Sequence, residues 1–445
     1  MSCLAASPWN AWLNHSVEYP DGVTYRRRIV DDTLDEFFPH LAAIALEGAK
    51  GVGKTETGKT RARTVVNLSL AEQRRVLAGN LAQVVALPPP VLIDEWQLVP
   101  DVWDYVRHAV DEDRTGGRFL LAGSAAVAPG LRLHSGAGRI VSLTMRPLTI
   151  AERGISQPTV SLKALLAGGR PDVFSRCEVG LDGYVDEILA SGFPGIRDLP
   201  ERVRRRQLAS YIDRVVEREL PDNGVEVRRP EALRRWLRAY GAATATDAKY
   251  SVILDAATGG QADKPTRSTT DAYREHLSRL FLLDPVPAWT PGFNFLKRLG
   301  RAPKHHLVDP ALAAVLAGVG REGLMLGRGG RPTASAGTWL GALFESLAVQ
   351  SVRVYAEAAD ATIGHLRLWD STREVDLIVE GADRRVVACE VKLAATVTDH
   401  DVRHLNWLEA QLGDGLADKI ALTTGAQAYR RPDGVAVVPL ALLGP

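Results

Sequence analysis

The sequence predicts an α/β protein with more than one domain, and three observations lead to this prediction. Residues 48–55 (GAKGVGKT) follow an apolar run at 41–46 that is typical of a buried strand. A second apolar run, residues 91–93, ends in the acid pair Asp94 and Glu95. Two further strand-like runs with embedded acids lie near the C-terminus. The length of 445 residues exceeds one ordinary domain, so we expect about two to four domains.

The composition is that of a globular protein and argues against several other classes. Hydrophobic residues make up 46% of the chain and charged residues 24%. The net charge of +1 argues against a uniformly basic nucleic-acid-binding surface, although local patches remain compatible with it. The three cysteines (Cys3, Cys177, Cys389) are far apart and suggest neither a disulfide framework nor a zinc site. Because no signal pattern and no run of about 18 apolar residues occurs, we expect a soluble cytoplasmic protein without a membrane segment.

Residues 1–40 are expected to form a lead of short helices that packs on the next domain. The lead contains an arginine triplet, residues 26–28, followed by an acidic cluster. The triplet could contact phosphate, but the pattern favours a solvated helix face.

Residues 48–55 show the order strand, glycine-rich loop, Lys-Thr and helix that defines a P-loop. Glycines let the backbone wrap closely around a phosphate, and N–H groups at a helix start point at the anion. Lys54 is expected to reach the β- and γ-phosphates of ATP, and the Thr55 hydroxyl to bind Mg²⁺. The residues expected to bind ATP or ADP are Gly48, Ala49, Lys50, Gly51, Val52, Gly53, Lys54, Thr55 and Glu56.

A second match to the P-loop pattern, ending in Lys59 and Thr60, overlaps the first. We prefer the first match because its loop begins directly after the apolar run. In this interpretation Gly58 lies inside the helix, at a cost of about 1 kcal/mol relative to alanine. A glycine-rich turn that binds no ligand is the remaining alternative.

The acid pair that follows residues 91–93 has the arrangement of a Walker B motif. The carboxyl end of a buried parallel strand would bring Asp94 to Mg²⁺ and Glu95 to the attacking water. A strand that ends in a solvated acid pair is the alternative. The P-loop earlier in the chain favours the Walker B interpretation.

Two more residues are candidates for an ATPase site. Residues 118–124 predict another buried strand, and its terminal Ser124 is a candidate γ-phosphate sensor, unless it only joins the strand to a loop. Arg139 follows a flexible Gly-Ala-Gly segment and is a candidate arginine finger for a neighbouring subunit. A structural role for Arg139 is equally compatible with the sequence.

The segments at 48–55, 91–97, 119–124 and 138–152 together resemble the prokaryotic AAA-type ATPases that carry a C-terminal domain of unknown function. In that family a P-loop core is followed by helices, a winged helix and a restriction-endonuclease-like domain. The resemblance covers most of the chain and implies ATP binding, but it does not imply a pathway.

The sequence in the middle of the chain predicts mostly helices. A basic helix begins at residues 202–206, and a solvated face is its default interpretation, with a DNA-facing or interface role as the alternative. Residues 231–288 read as helix, short turn, helix and strand, which fits a winged helix. If this module binds DNA, Arg267, Ser268 and Thr270 are the positions expected to contact phosphates or base edges; otherwise it serves for packing.

The C-terminal part carries a second candidate site. Asp376, Glu390 and Lys392 match the spacing of restriction-type nucleases, and Glu345 would join them from a preceding helix. Residues two apart in a strand share a face, so Glu390 and Lys392 should point together. The carboxylates would hold Mg²⁺ while Lys392 steadies a hydroxide. The alternative is a retained fold in which these side chains form a structural ion cluster.

The predicted fold is therefore an α/β assembly with an AAA-like P-loop NTPase core, a helical extension, a winged helix and a restriction-endonuclease-like domain. The predicted units are 1–40 (lead), 41–155 (core), 156–230 (extension), 231–290 (winged helix), 291–335 (partly mobile connector) and 336–445 (C-terminal domain).

The leading functional hypothesis is a Mg²⁺-dependent ATPase that forms a homo-oligomer and has DNA as a possible partner. The alternatives are a nucleotide-gated DNA-binding or signalling switch with little turnover, and an ATP-controlled, metal-dependent nuclease.

Overall fold

The computed structural model describes residues 16–18, 24–123, 136–222, 224–225, 227–259, 266–289, 302–325, 339–368 and 372–445. The described part of the lead contains a short antiparallel pair, β1 (Ser16–Glu18) and β2 (Thr24–Arg26), and one helix, α1 (Ile29–Phe37). The expectation of helices alone was therefore wrong here. None of the described helices is both long and apolar enough to span a membrane.

A five-stranded parallel sheet forms the first core, as the buried apolar runs predicted. Its strands are β3 (Ala43–Glu47), β4 (Thr64–Asn67), β5 (Val91–Asp94), β6 (Phe119–Gly123) and β7 (Ile140–Thr144). The spatial order is β4-β5-β6-β3-β7, and each neighbouring pair is parallel. The strands β3 and β5 flank β6, so their carboxyl ends lie at the same edge of the sheet.

Helices cover both faces of this sheet. They are α2 (Lys54–Lys59), α3 (Ala71–Gly79), α4 (Gln83–Ala86), α5 (Asp101–Glu112) and α6 (Ile150–Arg153). The apolar face of α5 contributes Val102, Val106 and Val110 to a core shared with β5 and β6. These residues recur at helical spacing, which is why the amphipathic pattern predicts this helix.

The next part of the chain is mostly helical, as predicted. Its helices are α7 (Leu162–Ala167), α8 (Leu181–Ala190), α9 (Pro194–Arg197), α10 (Glu201–Arg214) and α11 (Leu220–Asp222), with a π-helical turn at Val215–Glu219 between the last two. Two short strands, β8 (Val160–Ser161) and β9 (Ser175–Arg176), were not predicted.

Three helices follow: α12 (Pro230–Ala242), α13 (Tyr250–Thr258) and α14 (Arg267–Arg279). The sequence predicted only two helices here. An antiparallel ladder comes next, in which Leu283 pairs with Leu307 and Val286 pairs with Lys304. We call residues 283–286 and 304–307 the ladder.

The predicted connector is wrong for residues 302–325. This segment contains the second half of the ladder and two helices, α15 (Pro310–Ala317) and α16 (Arg321–Met325). The start of α15 is well capped, because the Asp309 carboxylate accepts the N–H of Ala311 at 2.8 Å and Pro310 occupies the first turn. Its apolar residues are buried in the main core.

The C-terminal part is a mixed sheet between two helices, α17 (Trp339–Ala358) and α18 (Asp399–Leu412). Its own strands are β10 (Thr362–Arg367), β11 (Glu374–Glu380), β12 (Val386–Lys392), β13 (Leu416–Thr423), β14 (Gln427–Arg430) and β15 (Ala436–Pro439). The sheet order is β10-β11-β12-β13-β15-β14-β9, so β9 supplies one edge from a distant part of the sequence. The last strand, β16 (Leu443–Gly444), pairs with β8.

Candidate functional site

The loop between β3 and α2 adopts a conformation that depends on glycine. Gly48, Gly51 and Gly53 have φ angles of 147°, 80° and 105°, which other residues rarely adopt. A Cβ atom on Gly48 would lie 2.1 Å from the carbonyl oxygen of Met145. Backbone angle and close packing therefore both require glycine at position 48.

The first two residues of α2 connect this loop to the neighbouring acids. The Nζ of Lys54 donates to the carbonyl oxygens of Gly48 at 2.7 Å and Ala49 at 2.8 Å. Burial lowers the pKa of Lys54 to about 8, although the Glu95 and Asp94 charges oppose this shift. The hydroxyl of Thr55 donates to the two carboxylate oxygens of Asp94 at 3.0 and 3.1 Å.

The acid pair lies at the carboxyl end of β5, as the strand pattern predicted. Burial raises the pKa of Asp94, and the hydrogen bond from Thr55 opposes this increase. Glu95 has a left-handed φ of 55°, and its carboxylate accepts a hydrogen bond from Gln97 at 2.5 Å. A hydroxyl and a carboxylate are oxygen donors of the kind that Mg²⁺ prefers, so Thr55 and Asp94 fit this ion.

The remaining residues expected at the nucleotide have other neighbours in the structure. Lys50 forms an ion pair with Glu219 of the π-helical turn at 2.6 Å, and Glu56 pairs with Lys59 at 2.8 Å. Ala49 and Val52 are fully buried. Residues 54–59 of the overlapping second match form α2, so this match is a helix and not a phosphate-binding loop. Lys59 lies on the exposed side of that helix.

One of the two auxiliary candidates, Arg139, belongs to the described part of the chain. Ser124 lies outside the described residues. Arg139 precedes β7 and forms an ion pair with Asp111 at 2.7 Å. Since β7 runs parallel to β3, Arg139 lies at the amino edge of the sheet and the loop at the carboxyl edge. An arginine finger for a neighbouring subunit stays a prediction.

Arg28 contacts the loop from outside the core, and the sequence did not suggest this. Its side chain is buried and donates to the carbonyl oxygens of Val52 and Arg146, each at 2.7 Å, and to the carboxylate of Glu152 at 3.0 Å. The expected solvated face is therefore wrong for Arg28. Arg146 and Glu152 are more than 100 residues away in sequence, so no local pattern could have shown this contact.

The C-terminal candidates lie together, but around a lysine that was not predicted. The Nζ of Lys304 lies 2.8 Å from Glu345, 2.8 Å from Asp376 and 3.1 Å from Glu374. Glu390 forms an ion pair with Lys392 at 2.7 Å, so these two side chains point together as expected. We call these four acids and two lysines the acidic cluster. A metal site here stays a prediction, and no group of three or more His, Cys, Asp or Glu among the described residues is arranged to hold a metal ion.

The charges in the acidic cluster shift one another strongly. Burial opposes the charge of Lys304, but Asp376, Glu345 and Glu374 outweigh it and raise the pKa of Lys304 well above its ordinary value. Burial also opposes ionisation of Asp376, and the Lys304 and Lys392 charges overcome it and lower the pKa of Asp376. Burial raises the pKa of Glu345 to about 8 against the attraction of Lys304.

The positions suggested for DNA contact differ in accessibility. Ser268 is exposed near the start of α14, whereas Thr270 is buried. Thr270 is therefore not available to touch a phosphate or a base edge, and its inclusion was wrong. It lies on the face of α14 that also carries the buried Tyr273 and Leu277.

The loop, the acid pair and the parallel sheet together define a P-loop domain, and sequence comparison agrees. Residues 41–153 match the family described as "AAA domain". Residues 181–323 match "Domain of unknown function (DUF8612)", and residues 340–443 match "Domain of unknown function (DUF4143)". The first part of the chain thus has the geometry of a P-loop domain and is similar to the AAA family.

Two relatives with matching sequences come from mycobacteria. The chain is 25% identical to the uncharacterized proteins Mb2031c of Mycobacterium bovis and Rv2008c of Mycobacterium tuberculosis, over 346 residues in each case. The match covers 75% of this chain and 69% of each relative.

The solved structures that match this chain share little sequence with it. The Walker-type ATPase PABY2304 of Pyrococcus abyssi is 15% identical, with a TM-score of 0.39, over 68% of this chain and 98% of that protein. A mutant RuvB of Thermotoga maritima is 15% identical, with a TM-score of 0.25, over 64% of this chain and 99% of that protein. At these TM-scores the likeness carries no functional conclusion.

Proposed function

We propose that this protein is a Mg²⁺-dependent ATPase whose nucleotide state is passed from the AAA-type core to the helical and C-terminal parts. The contact between Thr55 and Asp94 carries this proposal. In this contact the last residue of the P-loop motif meets the acid that ends β5, which is the pairing that a Mg²⁺-nucleotide site requires.

Each residue then has a defined role. Thr55 and Asp94 would hold Mg²⁺, which supplies charge neutralisation for the phosphates when it is bound. Lys54 lies within the loop, where its ammonium now bonds to two loop carbonyls and would turn to the phosphates of ATP. Glu95, the next residue after Asp94, would orient the attacking water.

The partners of this ATPase are part of the same proposal. The proposal includes a homo-oligomer in which Arg139, whose side chain is 38% exposed, acts as an arginine finger for the neighbouring copy. Three helices followed by an antiparallel ladder support a winged-helix module, with DNA as its partner and Ser268 at the contact surface. We place the protein in the cytoplasm.

The C-terminal part is proposed to have a restriction-endonuclease-like fold. The supporting observation is its order of elements: a helix, three antiparallel strands, a second helix and a parallel strand. Glu390 and Lys392 lie at the end of the third of these strands, where this type of domain would carry its chemistry.

A phosphate-release assay with saturating ATP and Mg²⁺ tests the proposal. The wild-type protein should release phosphate, whereas Glu95→Gln should bind ATP with similar affinity and release phosphate about 100-fold more slowly or worse, because the water loses its orienting carboxylate. Running both proteins with and without DNA shows whether DNA changes the rate.

The opposite result would favour the alternative function. Tight retention of ADP and negligible steady-state turnover by the wild-type protein, with or without DNA, would identify a nucleotide-gated switch and contradict an ATPase that turns over.

A further inference from the structure

Lys304 reaches the acidic cluster from outside the C-terminal sheet. Its backbone belongs to the ladder, where its N–H and carbonyl oxygen each bond to Val286 at 2.9 Å. Its side chain is 3% exposed and extends to carboxylates on α17 and β11. A lysine of one structural part therefore lies buried inside another.

The Lys304 ammonium is surrounded by carboxylates, as a bound metal cation would be. Three carboxylates converge on it, with oxygens at 2.8, 2.8 and 3.1 Å from Glu345, Asp376 and Glu374. The second oxygen of Asp376 accepts the N–H of Val391 at 2.9 Å, so this carboxylate is fixed in orientation. Converging carboxylate oxygens from separate elements are the ligand set that proteins offer to Mg²⁺ or Mn²⁺.

A divalent ion and this ammonium cannot use the same oxygens together. A metal would need them at about 2.0–2.6 Å, which places it within a few ångströms of the Lys304 charge. Two cations that close in a buried site repel each other strongly. The Glu390 carboxylate already has a cationic partner, since it forms an ion pair with the Lys392 ammonium at 2.7 Å. The cluster as it stands therefore does not fit a metal ion.

We propose that Lys304 is a tethered cation that takes the place of a divalent metal ion in the acidic cluster. The positive charge beside Glu345 and Asp376 is supplied by the ladder and not by solvent. Metal access to the cluster then depends on whether the ladder stays docked against α17 and β11. This inference is independent of ATP hydrolysis and concerns the ladder together with the C-terminal part.

The test uses full-length, nucleotide-free protein and titration with Mn²⁺, followed by the electron paramagnetic resonance signal of free Mn²⁺. Lys304→Met keeps the length of the side chain and removes its charge, so it should bind one more Mn²⁺ per chain than the wild type, about tenfold more tightly or better than any wild-type site. Lys304→Arg keeps the charge and should bind no additional ion.

One further variant and a stability measurement make the result decisive. Adding Asp376→Asn to Lys304→Met should abolish the additional Mn²⁺ site. Mn²⁺ should raise the melting temperature of Lys304→Met and leave that of Lys304→Arg unchanged, because a ligand stabilises only the state that binds it. If Lys304→Met folds only when it is refolded in Mn²⁺, that outcome also supports the proposal.

Three outcomes would overturn it. One is equal Mn²⁺ binding by the wild type and Lys304→Met. Another is retention of the additional site after Asp376→Asn. The third is failure of Lys304→Met to fold with or without Mn²⁺ while Lys304→Arg folds, since the metal would then be unable to replace the ammonium.

Discussion

Lys54 and Lys59 lie close together in sequence, and both belong to a stretch that fits the P-loop pattern, yet their surroundings differ. The Lys54 ammonium is buried inside the loop and bonds to two loop carbonyls. The Lys59 ammonium is on the surface, where it pairs with Glu56 at 2.8 Å. Only Lys54 is in a position to meet a phosphate held by the loop.

Lys54→Ala is expected to weaken ATP binding by roughly 100-fold, because charge-assisted hydrogen bonds to the phosphates are lost. Lys59→Ala should change ATP affinity by less than about twofold, since an exposed ion pair contributes little. Titration of each variant with a fluorescent ATP analogue at constant Mg²⁺ measures both values. The reverse order of effects would move the nucleotide to the second loop.

The sequence predicted which residues meet beside the glycine-rich loop better than it predicted the charged residues around them. Thr55 and Asp94 were expected to share one metal ion, and the structure brings them into direct contact. The buried contacts of Arg28 and Lys304 were not predicted, because these contacts involve residues far away in sequence. A basic residue beside polar neighbours is usually predicted to be exposed. Burial of a charge depends on tertiary partners, which a local pattern does not contain.

At the scale of elements, α2 packs unusually closely on β5. Gly58 is the fifth of the six residues of α2, and glycine inside a helix normally weakens it by about 1 kcal/mol relative to alanine. A Cβ at this position would lie 2.7 Å from Cδ1 of Leu92, which is fully buried. The glycine lets the P-loop helix approach the strand that carries Asp94.

Gly58→Ala is therefore expected to lower the free energy of unfolding by about 1–3 kcal/mol, because overpacking outweighs the better helix propensity. The matched control is Gly79→Ala at the end of α3, where no atom lies within 4 Å of the new Cβ. This control should be neutral or stabilising by up to about 1 kcal/mol. Urea denaturation compares the two, and equal effects would contradict the packing argument.

The elements that sequence patterns missed are short or marked by weak signals. Strand β9 has two residues and owes its existence to pairing with β14, which lies far along the chain. The segment 302–317 was grouped with the glycine-rich stretch after it. The Asp309-Pro310 pair followed by an apolar run was the overlooked signal for the start of this helix.

At the scale of the whole molecule, a buried arginine joins three parts of the chain. Arg146 follows β7 and forms ion pairs with Asp284 of the ladder at 2.8 Å and with Glu357 of α17 at 2.5 Å. Its carbonyl oxygen accepts a hydrogen bond from Arg28, which also contacts the P-loop. Burial opposes ionisation of Asp284, but Arg146 and Arg353 outweigh it and lower the pKa of Asp284 to about 2.

Arg146→Met is expected to lower the free energy of unfolding at pH 7 by roughly 2–4 kcal/mol, because it leaves the Asp284 carboxylate without its main partner. The pKa of Asp284 falls from its ordinary 3.8 to about 2. Its contribution is therefore complete above pH 4 and is lost as the pH falls towards 2. The difference between wild type and variant should shrink over this range in urea denaturation.

Asp284→Asn provides the control for this prediction. In a double-mutant cycle the two substitutions should couple by about 1–3 kcal/mol at pH 7, since each removes the same ion pair. Strictly additive effects would show that Arg146 acts through packing alone.

Strands β9 and β16 each pair with a strand from a distant part of the chain, and this pairing limits how the chain can be divided. A fragment beginning at α17 would have an open edge at β14 and would lose the ammonium that neutralises its acids. A fragment ending before α17 would leave β8 without the strand that pairs with it. Truncation would thus leave unpaired strands in both fragments. Single substitutions in the full-length chain are therefore the better way to determine the function of each part.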